Sequence, residues 1–409
     1  MRGCNLRIIY LLITISLVGI HVNETKDTTG TRSLNSHWRE NWFTNLFLNP
    51  IQDNRQSRFL SLITIVNIDN QDCISATGES GVCVTQSQCL KRGGKPNGGC
   101  ASGFAYCCVF MVTCGATVRE NGTYFVNKEF PGTLDGTGSC QITLVKPKPD
   151  VCYFRLDFDQ FTLMGPETTN HVCDNDQFII SGGNPVPGIC GSNKGNHIIV
   201  DSPEGATGPI MISVVTSGPS FKRSWKIRVT QIPCLSRIRG EEGCLQYFTG
   251  VAGQIKSFNY DTSTGLQLSN QDYSICIRTE RSFCSIHFSQ CPDTVNTRSQ
   301  SFTLTGNSSM AIPAMVGSTG TANFCQNDYL IIPMASNAGR PATMPTMTVD
   351  RICGGTFNAE VNIAPSTVKT YVKPYRLWFH TDGVEMPNDI MNRGFCLNYV
   401  QQPCTTTTA

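Results

Sequence analysis

Histidine and charge are what this chain has least of. Six histidines occur in 409 residues, 15% of positions are charged, and the net charge is +2. No run of Lys and Arg gathers anywhere, which excludes the clustered positive surface that nucleic acid requires. There is no H-E-x-x-H to hold a catalytic zinc. Past residue 22 no apolar run is long enough to cross a bilayer; FLSLITIVNI at 59–68 reaches about half the needed length. Long apolar runs of the kind that build buried helices are missing too, whereas Gly (37) and Pro (21) are frequent. That balance points to a β-rich, loop-rich protein of two or three domains.

What is present points outside the cell. MRGCNLRIIYLLITISLVGIHV sets Arg2 and Arg7 ahead of an apolar stretch, the layout of a secretory signal peptide over 1–22, with an uncleaved anchor as the alternative. The terminal CTTTTA, with a Thr-rich tail at 405–409, offers no apolar segment for a lipid anchor. Of 21 cysteines, Cys4 leaves with the signal peptide, and an even set remains for disulfides. Asn121-Gly-Thr and Asn307-Ser-Ser are glycan acceptors for an exported chain.

Residues 23–72 read as a spacer. Within it Trp38, Trp42, Phe43, Leu46 and Phe47 recur at helical spacing, predicting a short helix over 36–49 between Ser36 and Pro50. Such a helix either docks on the protein's own body or meets a partner or membrane surface. Its scarcity of basic charge favours the first.

Cys73, Cys83, Cys89, Cys100, Cys107 and Cys108 then crowd into one short segment with almost no aliphatic core, so only cross-links can hold it. Zinc is disfavoured there, because the segment has no histidine and no Cys-x-x-Cys pair. The six-cysteine order ending in Cys-Cys resembles an arthropod clip domain over 73–108; defensin-like peptides share the doublet. The clip resemblance implies the bridges Cys73–Cys107, Cys83–Cys100 and Cys89–Cys108. Clip domains usually accompany serine proteases, yet no protease-like segment follows.

The remainder repeats itself. Cys114, Cys140, Cys152, Cys173, Cys190 and Cys234 have counterparts in Cys244, Cys276, Cys284, Cys325, Cys353 and Cys404. In CYFRLDFDQFTL, Phe154, Leu156 and Phe158 alternate with Arg155, Asp157 and Asp159; in SWKIRVTQIPC, Trp225, Ile227 and Val229 alternate with Lys226 and Arg228. These are antiparallel strands with one face buried. Two β-sandwiches, 114–234 and 244–404, account for the repeat.

The Cys114…Cys140 spacing, the L-x-F-x-x-F strand at 156–161, Cys173-x-x-Asp176, Cys325-x-x-Asp328 and the closing Gly394-Phe395…Tyr399 strand together resemble the CUB family. The resemblance implies a mainly β fold of two tandem jelly-roll sandwiches behind a small disulfide-stapled module. It also implies Cys114–Cys140 and Cys244–Cys276 as first bridges, and Cys173–Cys190 and Cys325–Cys353 as second bridges. For the extra cysteines, antiparallel pairing keeps the index sum nearly constant. Cys284–Cys404 and Cys291–Cys396 satisfy this to within one residue, whereas the crossed pairing does not. Cys152–Cys234 follows by analogy in the first copy.

Many CUB domains hold calcium with three acids: a Glu after the L-x-F-x-x-F strand, the Asp of Cys-x-x-Asp, and a late Asp. Hard cations need several such oxygens together. In the first copy Asp176 is present, but Met164 stands at the Glu position and Ser217 or Gly218 at the late Asp. In the second copy Asp328 and Asp382 are present and Thr305 replaces the Glu, so these two are the metal candidates. The opposing reading makes Asp328 a carboxylate that ties a turn, and the missing third acid favours it. No other cofactor is implied. His380 and Asp382 lie close in WFHTDG, but no partner serine stands out. The chain therefore reads as a secreted, non-catalytic protein that binds extracellular protein or glycan. A non-enzymatic regulator of a serine-protease cascade and a disulfide-rich matrix protein are the alternatives.

Overall fold

The computed structural model describes residues 70–404, apart from 203–204, 207, 237–240, 318–324 and 341–346. The signal peptide, the 36–49 helix and the Thr-rich tail lie outside the described residues.

Two sheets form the first sandwich. One has the order Gln177–Ser181, Ile210–Thr216, Gly138–Leu144, Thr117–Val118; the other runs His197–Asp201, Val151–Thr162, Ser224–Pro233, Thr123–Val126, Met111–Val112. Alternation decides which side chains go inward: Phe154, Leu156 and Phe158 are buried, as are Trp225, Ile227 and Val229 opposite them. Phe158 and Phe161 are three apart and yet both buried, because the pairing with Ser224–Pro233 slips between Lys226 and Ile227. This β-bulge absorbs one residue and returns Phe161 to the core, which is the physical meaning of the F-x-x-F spacing. Phe178 from the other sheet meets both rings edge-on, at 5.6 and 5.4 Å. Cys114–Cys140, Cys152–Cys234 and Cys173–Cys190 are joined.

In the second sandwich one strand belongs to both layers. Tyr329–Asn337 pairs through Tyr329, Leu330 and Ile331 with Tyr375–His380, and through Ser336 and Asn337 with Val368–Thr370. Phe283–Gln290 and Gly394–Pro403 run antiparallel, Gln290 opposite Leu397 and Ser285 opposite Gln402. The register slips by one residue at Cys284, and Ser285 and Ile286 are consequently both buried. Cys284–Cys404 and Cys291–Cys396 clamp the two ends of this pair, and Cys244–Cys276 and Cys325–Cys353 are also joined.

Ahead of the sandwiches, a four-stranded sheet and the helix Gln86–Lys91 form a knot held by Cys73–Cys107, Cys83–Cys100 and Cys89–Cys108. The helix starts at Thr85, whose hydroxyl and the Gln88 side chain cap it reciprocally. The knot sits on the first sandwich through Lys226 Nζ to Glu79 Oε1 (2.9 Å) and Ser80 N–H to the Tyr124 hydroxyl (2.9 Å). Among the described residues no helix is long and apolar enough to cross a membrane.

The sandwiches meet at a wide, mixed interface. Ile199 N–H donates to Leu245 O (2.8 Å) and Tyr247 N–H to His197 Nε2 (2.8 Å). Tyr153, Ile199, Ile232, Tyr247 and the bridges Cys152–Cys234 and Cys244–Cys276 bury an apolar cluster beside them. Asn259 reaches back from the second sandwich, its Oδ1 accepting from Ser192 N–H (2.9 Å).

Candidate functional site

The repeated Cys-x-x-Asp comes to rest differently in each sandwich. In the first, Asp176 is fully buried, and its Oδ2 accepts from Met164 N–H (2.7 Å) and Arg223 Nε (2.7 Å). Its Oδ1 accepts from Ser217 N–H (3.2 Å). Met164 stands at the position expected for the Glu and Ser217 at one of the two expected for the late Asp, and what they supply is backbone N–H. Arg223, also fully buried, spends its outer nitrogen on Ser217 O (2.7 Å). The carboxylate is thus neutralised from within the sandwich.

In the second sandwich Asp328 Oδ1 accepts from Asp382 N–H (3.0 Å) and Oδ2 from Gln267 Nε2 (3.0 Å). Gln267 Nε2 also lies 3.1 Å from Glu385 Oε1, which sits 3.0 Å from Nδ1 of His171. His171 belongs to the first sandwich and is wholly buried. Burial, and then the charge of Glu385, push the Asp328 carboxyl up to about 8, against the opposing N–H of Asp382. Burial likewise raises Asp389, whose carboxylate accepts from Gly306 N–H. Asp382 turns its own Oδ1 to Val384 N–H (3.0 Å), and Thr305 Oγ1 accepts from Gly354 N–H (2.9 Å).

This donor set does not fit calcium. A hard cation needs converging, open oxygens, and here the carboxylate oxygens of Asp328 face the N–H groups of Gln267 and Asp382, while the buried His171 ring stands 3.0 Å from Glu385. Among the described residues no three His, Cys, Asp or Glu side chains converge as a metal cage. The sequence marked Asp328 and Asp382, and they do come together. Glu385, Gln267, His171 and Arg223 are the partners it did not mark. A histidine in HVCDNDQFII was visible, but nothing local tells that it leaves its own sandwich.

His380 and Asp382 part company: His380 turns outward onto the sheet face. There the Arg351 guanidinium lies 4.1 Å above the Tyr329 ring, and Tyr329 stacks on His380 at 4.9 Å and 26°. His380 Nδ1 is 4.0 Å from Asp272 Oδ1, which also accepts from the Trp378 indole N–H. Trp378 is 39% exposed. The register sets Asp272, His380 and Tyr329 in one row across three strands, so alternation alone brings these rings to one face. Asn121 and Asn307 both lie in turns, their Oδ1 atoms accepting from Gln231 N–H (2.7 Å) and Ser309 N–H (3.0 Å).

Residues 241–402, the second sandwich, match the family described as animal CUB domain. Among solved structures, the chain is similar to the CUB1-EGF-CUB2 domains of rat MASP-1, with 14% identity over 71% of this chain and 99% of that one, TM-score 0.23. It is also similar to the CUB1-EGF-CUB2 domain of human MASP-1/3, with 14% identity, 68% and 98% coverage and TM-score 0.22. The full extracellular region of zebrafish Gpr126/Adgrg6 gives 10% identity, 72% and 38% coverage and TM-score 0.26. At these TM-scores the likeness adds nothing to the fold read from the sheets. No curated protein matches the chain.

Proposed function

We propose that this is a secreted, non-catalytic recognition protein that holds an extracellular protein on the outer face of its second sandwich. The observation that carries the reading is the ring platform of Arg351, Tyr329, His380 and Trp378. Trp, Tyr and Arg are the residues that most often dominate binding energy, because they offer large rigid area with few rotamers to freeze. Here stacking and the Asp272 bond hold them in place before any partner arrives. The match of 241–402 to the animal CUB domain supports a binding role, and ten disulfides suit an oxidising compartment. Glycans on Asn121 and Asn307 belong to the same reading, as does a CUB-like character for the first sandwich.

The test is capture from extracellular fluid by the full mature chain, compared with Trp378→Ala and Arg351→Ala. A protein retained by wild type should lose roughly thirtyfold in affinity to Trp378→Ala, the scale of a hot-spot residue. Equal retention by both variants refutes the platform, and elution by free sugars would make the ligand a glycan.

A second reading, regulation of a protease cascade through the clip-like module, has its own support. The knot exposes Ile74, Leu90, Phe104 and Tyr106 while fixed to the first sandwich by Lys226 and Glu79. Binding of a serine protease that is lost in Phe104→Ser would favour it.

A further inference from the structure

We propose that the acid position of the second sandwich is an internal dock: His171 of the first sandwich enters it, locks the sandwiches into one unit and keeps divalent cations out.

The loop that delivers His171 is braced by its own hydrogen bonds. Glu167 N–H donates to Val172 O (2.9 Å), and the Glu167 carboxylate accepts from the N–H groups of Thr169 (2.6 Å), Asn170 and Val172. Cys173–Cys190 anchors its far end. His171 itself has φ +57°, a left-handed conformation that costs a residue with a Cβ and persists only where surroundings enforce it. Those surroundings are in the other sandwich: Ser269 N–H donates to His171 O (3.1 Å), Ser269 Oγ donates to Asn170 O, and Gln271 Nε2 donates to Gly188 O (3.1 Å).

Inside the dock, imidazole Nδ1 lies 3.0 Å from Glu385 Oε1, with Asp328 joined to the same carboxylate through Gln267. Asp382 and Asp389 complete the acids around it. The wholly buried ring fills the space beside Glu385, neither of its nitrogens in a hydrogen bond and Nδ1 close enough to the carboxylate to occupy its open side. Where a cation would need open carboxylate oxygens, the Gln267 amide presents N–H and the His171 ring takes up the space. The same solution appears in the first sandwich, with Arg223 as the donor to Asp176.

The experiment uses the full mature chain, with calorimetric melting and calcium titration on wild type, His171→Ala and His171→Gln. Wild type should melt in one transition that millimolar calcium does not move. His171→Ala should split it into two, and His171→Gln, which refills the space, should restore one. Stoichiometric calcium uptake by wild type, or a single unshifted transition in His171→Ala, overturns the proposal. Should His171→Ala not fold, hydrogen exchange on wild type decides: the Ser269 amide should be as protected as that of core Ile275, and rapid exchange there overturns the dock.

Discussion

Arg223 and Asp176 form an ion pair 2.7 Å long in which neither side chain reaches solvent. Two charges out of water are tolerable because further hydrogen bonds surround the pair: Asp176 takes two backbone N–H groups, and Arg223 gives to Ser217 O, Pro219 O and Phe221 O. Removing one partner should therefore cost more than removing the charge from both. Arg223→Met is expected to lose about 3–5 kcal/mol in urea unfolding. Adding Asp176→Asn should recover a substantial part, since the amide oxygen still accepts from Met164.

Asp328 should make the protein less stable as pH rises. Burial holds its carboxyl protonated up to about 8 in the folded chain, against an ordinary value of 3.8. Between these values the folded chain keeps a proton that the unfolded chain has lost, so added base favours unfolding. The contribution is complete below about pH 4 and gone above about pH 8. Asp328→Asn should flatten this slope, read as the shift of urea midpoint between mildly acidic and mildly alkaline buffer.

His197 works in the opposite direction. Burial, then the nearby Arg155, push its imidazole down to about 3 from 6.5, and its Nε2 must stay unprotonated to accept from Tyr247. Below about pH 6.5 the unfolded chain gains a proton that the folded chain refuses, so stability falls with acid until about pH 3. His197→Gln, whose amide oxygen can still accept, should remove that loss in acid melts while sparing neutral stability.

At Gly191 the first sandwich packs against Asn259 of the second with no room for a side chain. Gly191 has φ +75°, and a Cβ there would stand 1.9 Å from Asn259 Oδ1. Gly191→Ala should dislodge Asn259 and cost about 2–4 kcal/mol, combining left-handed strain with the clash. Gly195→Ala is the control: it has φ +82° with no atom within 4 Å, and should cost only about 1–2 kcal/mol.

Loop length should order the disulfides. Cys152–Cys234 spans 82 residues and Cys173–Cys190 spans 17. In the chain-entropy limit, losing the first costs about 4.5 kcal/mol and the second about 3. Denaturant midpoints of the two Ala-Ala variants test the order.

Much of the fold was legible because strands obey a period of two. The alternation in 152–163 and 224–234 fixes which residues go inward, and the index sum places Cys291 near Cys396 without any coordinates. Even the F-x-x-F break has a local cause, the bulge beside Asp159. The site was half legible. Asp328 and Asp382 were marked by residue type and position, but Asp328 ties two distant loops rather than its own turn: its partners are the Asp382 N–H and Gln267. The platform was missed because Tyr329, Arg351 and Trp378 lie on different strands, and only their register makes them neighbours.

The sequence by itself determined the mainly β class, the cross-linked N-terminal knot and the inward faces of the strands, since each depends on composition or short-range period. Only the tertiary structure decided what the two Cys-x-x-Asp carboxylates meet. Arg223 reaches Asp176, and Gln267 and the Asp382 N–H reach Asp328, across folded loops, while His171 crosses a sandwich boundary to the neighbouring Glu385. No periodicity encodes such contacts. They are set by which donors remain near a buried carboxylate once the sheets have closed, because an unpaired charge there is too costly to leave.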